Sequence, residues 1–356
     1  MPSAVDLLKE MIRFPSLSGE EAALADFMEA YACSRGGVGV ERHDDNVVMR
    51  LGSGPDTLLL NTHLDVVPPS DDHPYAPFEP VEAEGALYGR GSVDAKASGA
   101  AMTTALLSLA AEGWAPADGQ VLVALTTCEE SGGAHNGLQH VRPHLPALDA
   151  AVVGEPTRLR PCVAQKGLLI LKIHVRGTTA HAARAHLGTN AIREAQAALR
   201  QLDAIDLDRG DSHLGAPSAN VTTIEGGSAH NVVPDHCVFT VDVRTTPAYT
   251  HDEIVARIRE GVDAEVEVHS DRLVPCATPR DARVVQAARA AVPGAEPFGS
   301  PTSSDWVFLH DVPTVKMGPG RSSRSHTAGE RIDPAEVERA VSVYRTLVQS
   351  YFSTPA

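Results

Sequence analysis

Five segments of this 356-residue chain end in side chains suited to holding a metal ion or moving a proton. LLLNTHLDVVP carries His63 and Asp65, YGRGSVDAK places Asp94 just before a run of small residues, and VALTTCEESGG ends in two adjacent acids, Glu129 and Glu130. AAVVGEPT ends in Glu155, and SRSHTAGE supplies His326. Each has an ordinary explanation when taken alone. A loop histidine is usually solvated or hydrogen-bonded, an aspartate before a helix usually caps it, and paired acids in a turn are usually in water. Apolar strands that repeatedly end in histidine or acid are harder to dismiss as solvated tips. Imidazole with carboxylate suits zinc, cobalt or manganese, and there are enough such residues for two ions sharing one carboxylate. Residues two apart on a strand share a face, so Asp65 can accept the ring N–H of His63, an orientation metal-bound histidines need. Of the neighbours Glu129 and Glu130, one can bind metal while the other serves as a base towards water.

Such a cluster forms only if rigid elements bring its members together. NVVMRLG, DTLLLNTHLDVV, QVLVALTTC and LDAAVVGE read as strands, the later ones continuously apolar. Residues 3–13, the stretch SGEEAALADFMEAYA and the small-residue run SVDAKASGAAMTTALLSLAAEG read as helices, with Ser18 a candidate cap for the second and Gly113 the stop of the third. The alternation predicts an α/β fold, a mostly parallel sheet with helices on both faces. After about residue 165 the texture changes to strand–helix–strand–strand–helix–strand, the order of a small two-layer α+β domain. The expected division is a catalytic domain of residues 1–165 and 276–356, interrupted by a second domain of residues 166–275. In parallel α/β sheets, ligands bind at the carboxyl ends of the strands, which is where the candidate residues fall.

Composition narrows the function classes. The net charge is 30 − 46 = −16, which disfavours nucleic acid or an anionic membrane as the main partner. Five scattered cysteines form no Cys-x-x-Cys pair, so neither a disulfide framework nor a thiolate zinc site is expected. The N-terminus lacks a basic segment followed by an unbroken apolar run, and no stretch approaches the roughly 20 apolar residues of a membrane helix. A soluble, cytoplasmic protein is expected. No phosphate-binding glycine loop stands at a strand–helix junction, since GRGSVDAK has the wrong pattern. A non-catalytic metal-binding protein is disfavoured because the full set of acids and histidines is retained.

The motifs NTHLDVVP, LYGRGSVDAKAS, TTCEESGG, VVGEPT and SHTAGE, in this order, resemble the acetylornithine deacetylase / succinyl-diaminopimelate desuccinylase family of dinuclear zinc hydrolases. The resemblance covers nearly the whole chain. It implies that His63 and Glu155 hold one metal, Glu130 and His326 the other, and Asp94 both, with Zn2+ the expected ion and Co2+ or Mn2+ the alternatives. It further implies that Asp65 orients His63, that Glu129 is the general acid/base, and that a cis peptide falls at Asp94–Ala95. The inserted domain resembles the family's lid and dimerisation domain, which implies a homodimer. Its segment VRGTTAHAARAHLGTNAI implies that His181 reaches the partner subunit's active site and stabilises the oxyanion. GGSAHNVVPDHCVFTVDVRTTP implies that Asn231 and Arg244 bind substrate.

The implied reaction is hydrolysis of the amide of a small N-acyl amino acid. The GPG…SHTAGE ending, with GSPTSSDW upstream, looks closest to the arginine-biosynthetic deacylases, so N-acetyl-L-ornithine is the first expected substrate. N-acetylcitrulline and N-succinyl amino acids follow, then carrier-protein-linked lysine or ornithine, and dipeptides. Arg321 and Arg324 flank the expected pocket and could read a second substrate carboxylate, or simply sit in a solvated loop.

Overall fold

A computed structural model describes residues 3–131 and 135–354. The chain divides into two compact units, one of Met1–Val163, Ala277–Phe298 and Ser304–Ala356, the other of Ala164–Cys276 and Gly299–Ser303. Gly132 and Gly133, which close the TTCEESGG motif, lie outside the described residues.

The first unit is built on a nine-stranded sheet. Its central order is Gly39–His43, Asn46–Gly52, Gly119–Thr126, Asp56–His63, Ala150–Val153, Thr314–Lys316. Asp56–His63 runs parallel to both Gly119–Thr126 and Ala150–Val153, and Thr314–Lys316 runs parallel to Ala150–Val153. Asn46–Gly52 and Gly39–His43 are antiparallel on one side, and Cys162–Gln165 pairs antiparallel with Thr314–Lys316 on the other, so the sheet is parallel at its centre and antiparallel towards both edges. The fold is the expected α/β class. The parallel strands are buried along almost their whole length, as Gly119–Thr126 and Ala150–Val153 are throughout. That explains why they read as continuous apolar runs rather than alternations.

Register gathers the site. His63 lies opposite Thr126, and Asn61 opposite Val153. The residues that follow, Asp65, Glu129 and Glu155, therefore leave the sheet side by side at its carboxyl edge. Helix Lys96–Ala111 begins directly after Asp94 and is buried from Lys96 to Leu109. Its small residues make this possible: an all-round apolar helix can be enclosed, and Gly99, Ala100 and Ala101 let the sheet and the helices Ala4–Ile12 and Pro334–Ser353 close around it.

The second unit is a four-stranded antiparallel sheet in the order Ser218–Gly226, His236–Thr245, Gly167–Arg176, Glu265–Leu273. Strict burial alternation along Gly167–Arg176 and His236–Thr245 turns Leu169, Leu171, Ile173, Phe239, Val241 and Val243 into one core. Helices Ala191–Asp203 and His251–Gly261 cover it. Asn190 caps the first, and a Thr250–Glu253 capping box starts the second. Among the described residues no helix is long and apolar enough to cross a membrane.

Gly154 marks how tightly the site's base is packed. A Cβ there would lie 2.8 Å from Met102 Cε, 2.8 Å from Ser98 Cβ and 3.1 Å from Thr62 Cβ. Gly154→Ala is therefore expected to lower stability by about 1–3 kcal/mol through overpacking, read as a lower urea midpoint. An unchanged midpoint would show that strand and helix are not in this close contact.

Candidate metal centre

All seven candidate residues of the first unit meet at the sheet's carboxyl edge: His63, Asp65, Asp94, Glu129, Glu130, Glu155 and His326. Asp94 is central. Its Oδ1 lies 3.6 Å from His63 Nε2, and its Oδ2 lies 3.5 Å from His326 Nε2. Glu155 Oε1 is 3.7 Å from His63 Nε2, and Glu130 Oε1 is 2.8 Å from His326 Nε2. Asp94 thus turns one oxygen towards His63, which also neighbours Glu155, and the other towards His326, which neighbours Glu130. Ligand atoms of His63, Asp94 and Glu130 all lie within 4.8 Å of one another. Donors about 2 Å from a tetrahedral ion stand roughly 3.4 Å apart, so the spacing around His63 already has the scale of a coordination shell. His63 is almost fully buried whereas His326 is half exposed, so within this unit the His326 side is the open one.

Asp65 holds the cluster in place. His63 Nδ1 lies 2.9 Å from the Asp65 carbonyl oxygen and 3.3 Å from its Oδ1, so the ring N–H faces the backbone oxygen at least as closely as the expected carboxylate. The carboxylate accepts instead from the amides of Glu129 (3.1 Å) and Glu130 (3.0 Å) and from Ser18 Oγ (2.7 Å). The reading of Ser18 as a helix cap is thus corrected. The helix runs Ala22–Arg35 from Glu21 with no side-chain cap bond, because Ser18 is used by the buried Asp65. Glu21, the residue before this helix, is likewise engaged. It is buried and accepts the Cys128 amide at 2.9 Å.

The electrostatics are those of acids crowded together away from water. Burial, then the Asp94 charge, pushes Glu155 up to about 8. Burial pushes Glu129 well above the carboxylate range, and the charges of Glu155, Asp305 and Glu130 add to it against the pull of His63. Burial opposes ionisation of Asp94 and Asp65, but the closeness of His63 holds both below their ordinary value. His63 is raised well above an ordinary histidine: burial opposes, and Asp65 and Asp94 prevail. His326 is raised mainly by its bond to Glu130.

In the second unit, His181 and Asn231 are neighbours: the Ala182 amide donates to the Asn231 carbonyl at 2.9 Å, and His181 bridges to Val232. His181 Nδ1 accepts from the Ala183 amide at 3.1 Å. Arg244, on strand His236–Thr245, grips Asp242 with two nitrogens at 2.9 and 3.1 Å. Arg324 Nη1 donates to the Arg331 carbonyl at 3.3 Å. The Asp94–Ala95 peptide is cis.

Residues 59–350 match peptidase family M20/M25/M40. The chain is 31% identical to a succinyl-diaminopimelate desuccinylase of Methylorubrum extorquens over 98% of its own length and 99% of the relative's. An aminopeptidase from Bacillus cereus shares the fold with a TM-score of 0.78 at 22% identity, covering 99% of this chain and 98% of that one. A dinuclear metal-binding M20 peptidase of Bacillus subtilis does so with a TM-score of 0.77 at 15% identity, over 99% and 98% of the two chains.

The chain belongs to the M20 peptidase family. It is a metallohydrolase acting on amide bonds, as the resemblance of its motifs implies.

The residues of this M20 chain fit divalent ions. Asp94 Oδ1 is buried with no hydrogen-bond partner, and burial together with the neighbouring acids holds two glutamates beside it towards their protonated forms. Cations between the two histidine–glutamate pairs would supply opposing positive charge.

Several contributors escaped the sequence reading. Buried Asp305 accepts from Asn136 Nδ2 at 2.6 Å and is pushed up to about 6, chiefly by burial. Lys96, fully buried, donates to the carbonyls of Met11 (3.0 Å) and Phe14 (2.8 Å), and burial pulls it down to about 7. Glu330 and Arg90 form a buried ion pair of 2.6 Å. Each lies inside or beside a quoted motif, but only the fold reveals its partner.

Groups with raised folded-state pKa values favour folding below their ordinary pKa, and that contribution is lost as pH climbs through the folded value. Glu155 (about 8), Asp305 (about 6), Glu129 and His63 all have this sign. The lowered values of Asp65 and Asp94 contribute no slope above the carboxylate range. The unfolding temperature of metal-free protein should therefore fall between about pH 5 and about pH 7, above which the lowered value of Lys96 works against the trend. Added zinc should restore more of it at the higher pH. A flat profile with equal zinc stabilisation at both ends would contradict this electrostatic account.

Proposed function

We propose that the protein is a two-metal deacylase that removes the acyl group from a small N-acyl amino acid. The observation that carries this reading is the division of Asp94's two oxygens between two histidine–glutamate pairs. In this reading His63 and Glu155 hold one ion, Glu130 and His326 the other, and Asp94 both; zinc is the first metal to load, with cobalt and manganese next. When bound, such ions acidify water and polarise the amide carbonyl.

The chain's own residues then divide the remaining work. Glu129 takes a proton from the attacking water and returns it to the leaving amine. One feature supports it in that role: its amide is fixed by Asp65, which holds it beside the cluster. His181 reaches into the partner subunit's site and donates to the developing oxyanion there. Because its Nδ1 accepts from the Ala183 amide, the proton of the neutral ring lies on Nε2, which suits a donor. Arg244, its fork oriented by Asp242, reads the substrate carboxylate, and Asn231 lies beside His181 to bind the amide. The edge strand Ser218–Gly226 is exposed along its whole length, which supports pairing with a second copy into a homodimer.

For the acyl group, the full-length likeness to a succinyl-diaminopimelate desuccinylase supports an N-succinyl diamino acid as the first substrate. The GPG…SHTAGE ending supports N-acetyl-L-ornithine as the second. The test is amine release from N-succinyl-LL-diaminopimelate, N-acetyl-L-ornithine and a dipeptide by zinc-loaded protein, with a chelator-treated control. Metal-dependent release from an N-acyl amino acid is expected, and Glu129→Gln should slow it about 10²–10⁴-fold with metal content unchanged. Release from the dipeptide alone would overturn the deacylase reading in favour of a peptidase. Full activity in the glutamine variant would remove Glu129 from its role.

A further inference from the structure

Glu330 has no part in the chemistry described so far, yet its carboxylate accepts four hydrogen bonds beside the centre. Its side chain is fully enclosed. Oε2 accepts from Arg90 Nη1 at 2.6 Å and from the Gly91 amide at 3.0 Å. Oε1 accepts from the amides of Val93 (2.9 Å) and Asp94 (3.2 Å). Its backbone carbonyl accepts from the Gly89 amide at 3.3 Å. Gly91, Val93 and Asp94 thus turn their N–H groups onto one carboxylate. This is the concave arrangement by which backbone amides bind anions, and here the anion is a side chain of the same protein.

The position of Glu330 in the chain gives this a second consequence. It stands four residues after His326, and the strand that follows it, Arg331–Ile332, pairs antiparallel with Ala86–Tyr88. The loop bearing His326 and the loop bearing Asp94 are therefore tied together at both ends of this contact. Asp94 Oδ2 and His326 Nε2 are 3.5 Å apart.

We propose that Glu330, backed by Arg90, is a positioning residue that sets the distance between Asp94 and His326 and thereby the affinity of the second metal position. This rests on the two-metal reading above. A purely structural ion pair would affect folding alone, whereas a positioning residue affects metal affinity in protein that remains folded. Removing groups that orient metal ligands typically weakens binding roughly ten- to hundredfold.

The test titrates metal-free protein with zinc alone by calorimetry and records the visible spectrum with cobalt alone. Wild type should take up two ions. Glu330→Gln should weaken one of the two zinc steps roughly tenfold or more and change the cobalt spectrum. The double variant Arg90→Met/Glu330→Gln removes both buried charges together, a change buried pairs often tolerate, and should show the same loss in folded protein. Arg283→Met, which breaks the ion pair with Asp56 at the opposite end of the strand that leads to His63, serves as the control. It should lower the unfolding temperature and leave zinc affinity unchanged. Wild-type affinity for both ions in either folded Glu330 variant would overturn the proposal, as would an equal loss in the Arg283 control. Wild-type protein that takes up no zinc would overturn the two-metal reading itself, and this inference with it.

Discussion

The structure is organised around one shared carboxylate. Asp94 stands between two histidines with an oxygen towards each, and Glu155 and Glu130 complete the two flanks. Such crowding of acids away from water is unfavourable in the metal-free chain, since burial and then the neighbouring charges push Glu129 and Glu155 towards their protonated forms. Everything nearby serves to keep these groups from moving apart. Parallel register delivers three strand ends to one edge, a helix of small residues packs directly beneath, and Asp65 and Glu330 bind the loops that the strands release.

Asp65 and Glu330 solve the same problem from opposite sides. Each is buried, and each spends its acceptors mainly on backbone amides rather than on a metal-ligand side chain. A ligand held only by its own side-chain torsions would relax away from its neighbours. A ligand whose peptide plane is fixed has little freedom left to do so. Lys96 contributes in the same manner, joining the start of the Asp94 helix to the carbonyls of Met11 and Phe14.

Much of this was legible in the sequence because it obeys local rules. Apolar strands ending in His63-x-Asp65, Glu129-Glu130 and Glu155 announce themselves by composition, and the change to alternating strands after residue 165 marks a second kind of sheet. What was not legible depends on long-range partnership. Ser18 has every local attribute of a helix cap, yet it is recruited by a carboxylate 47 residues away. Glu330 and Arg90 are 240 residues apart and look like ordinary members of polar motifs. Asp305 is hidden for the same reason, since its partner Asn136 lies on a separate segment. Substrate choice is less legible still, because it is set by side chains around a pocket whose polar groups carry no periodic signal.

The central claim is that Asp94 joins two metal positions. Anomalous diffraction from crystals of the zinc-loaded protein, measured on both sides of the zinc absorption edge, tests it most directly. The account predicts two zinc peaks at the strand tips, one on each oxygen of Asp94, with His63 and Glu155 on one and His326 and Glu130 on the other. A single peak, or two peaks neither of which touches Asp94, would contradict it.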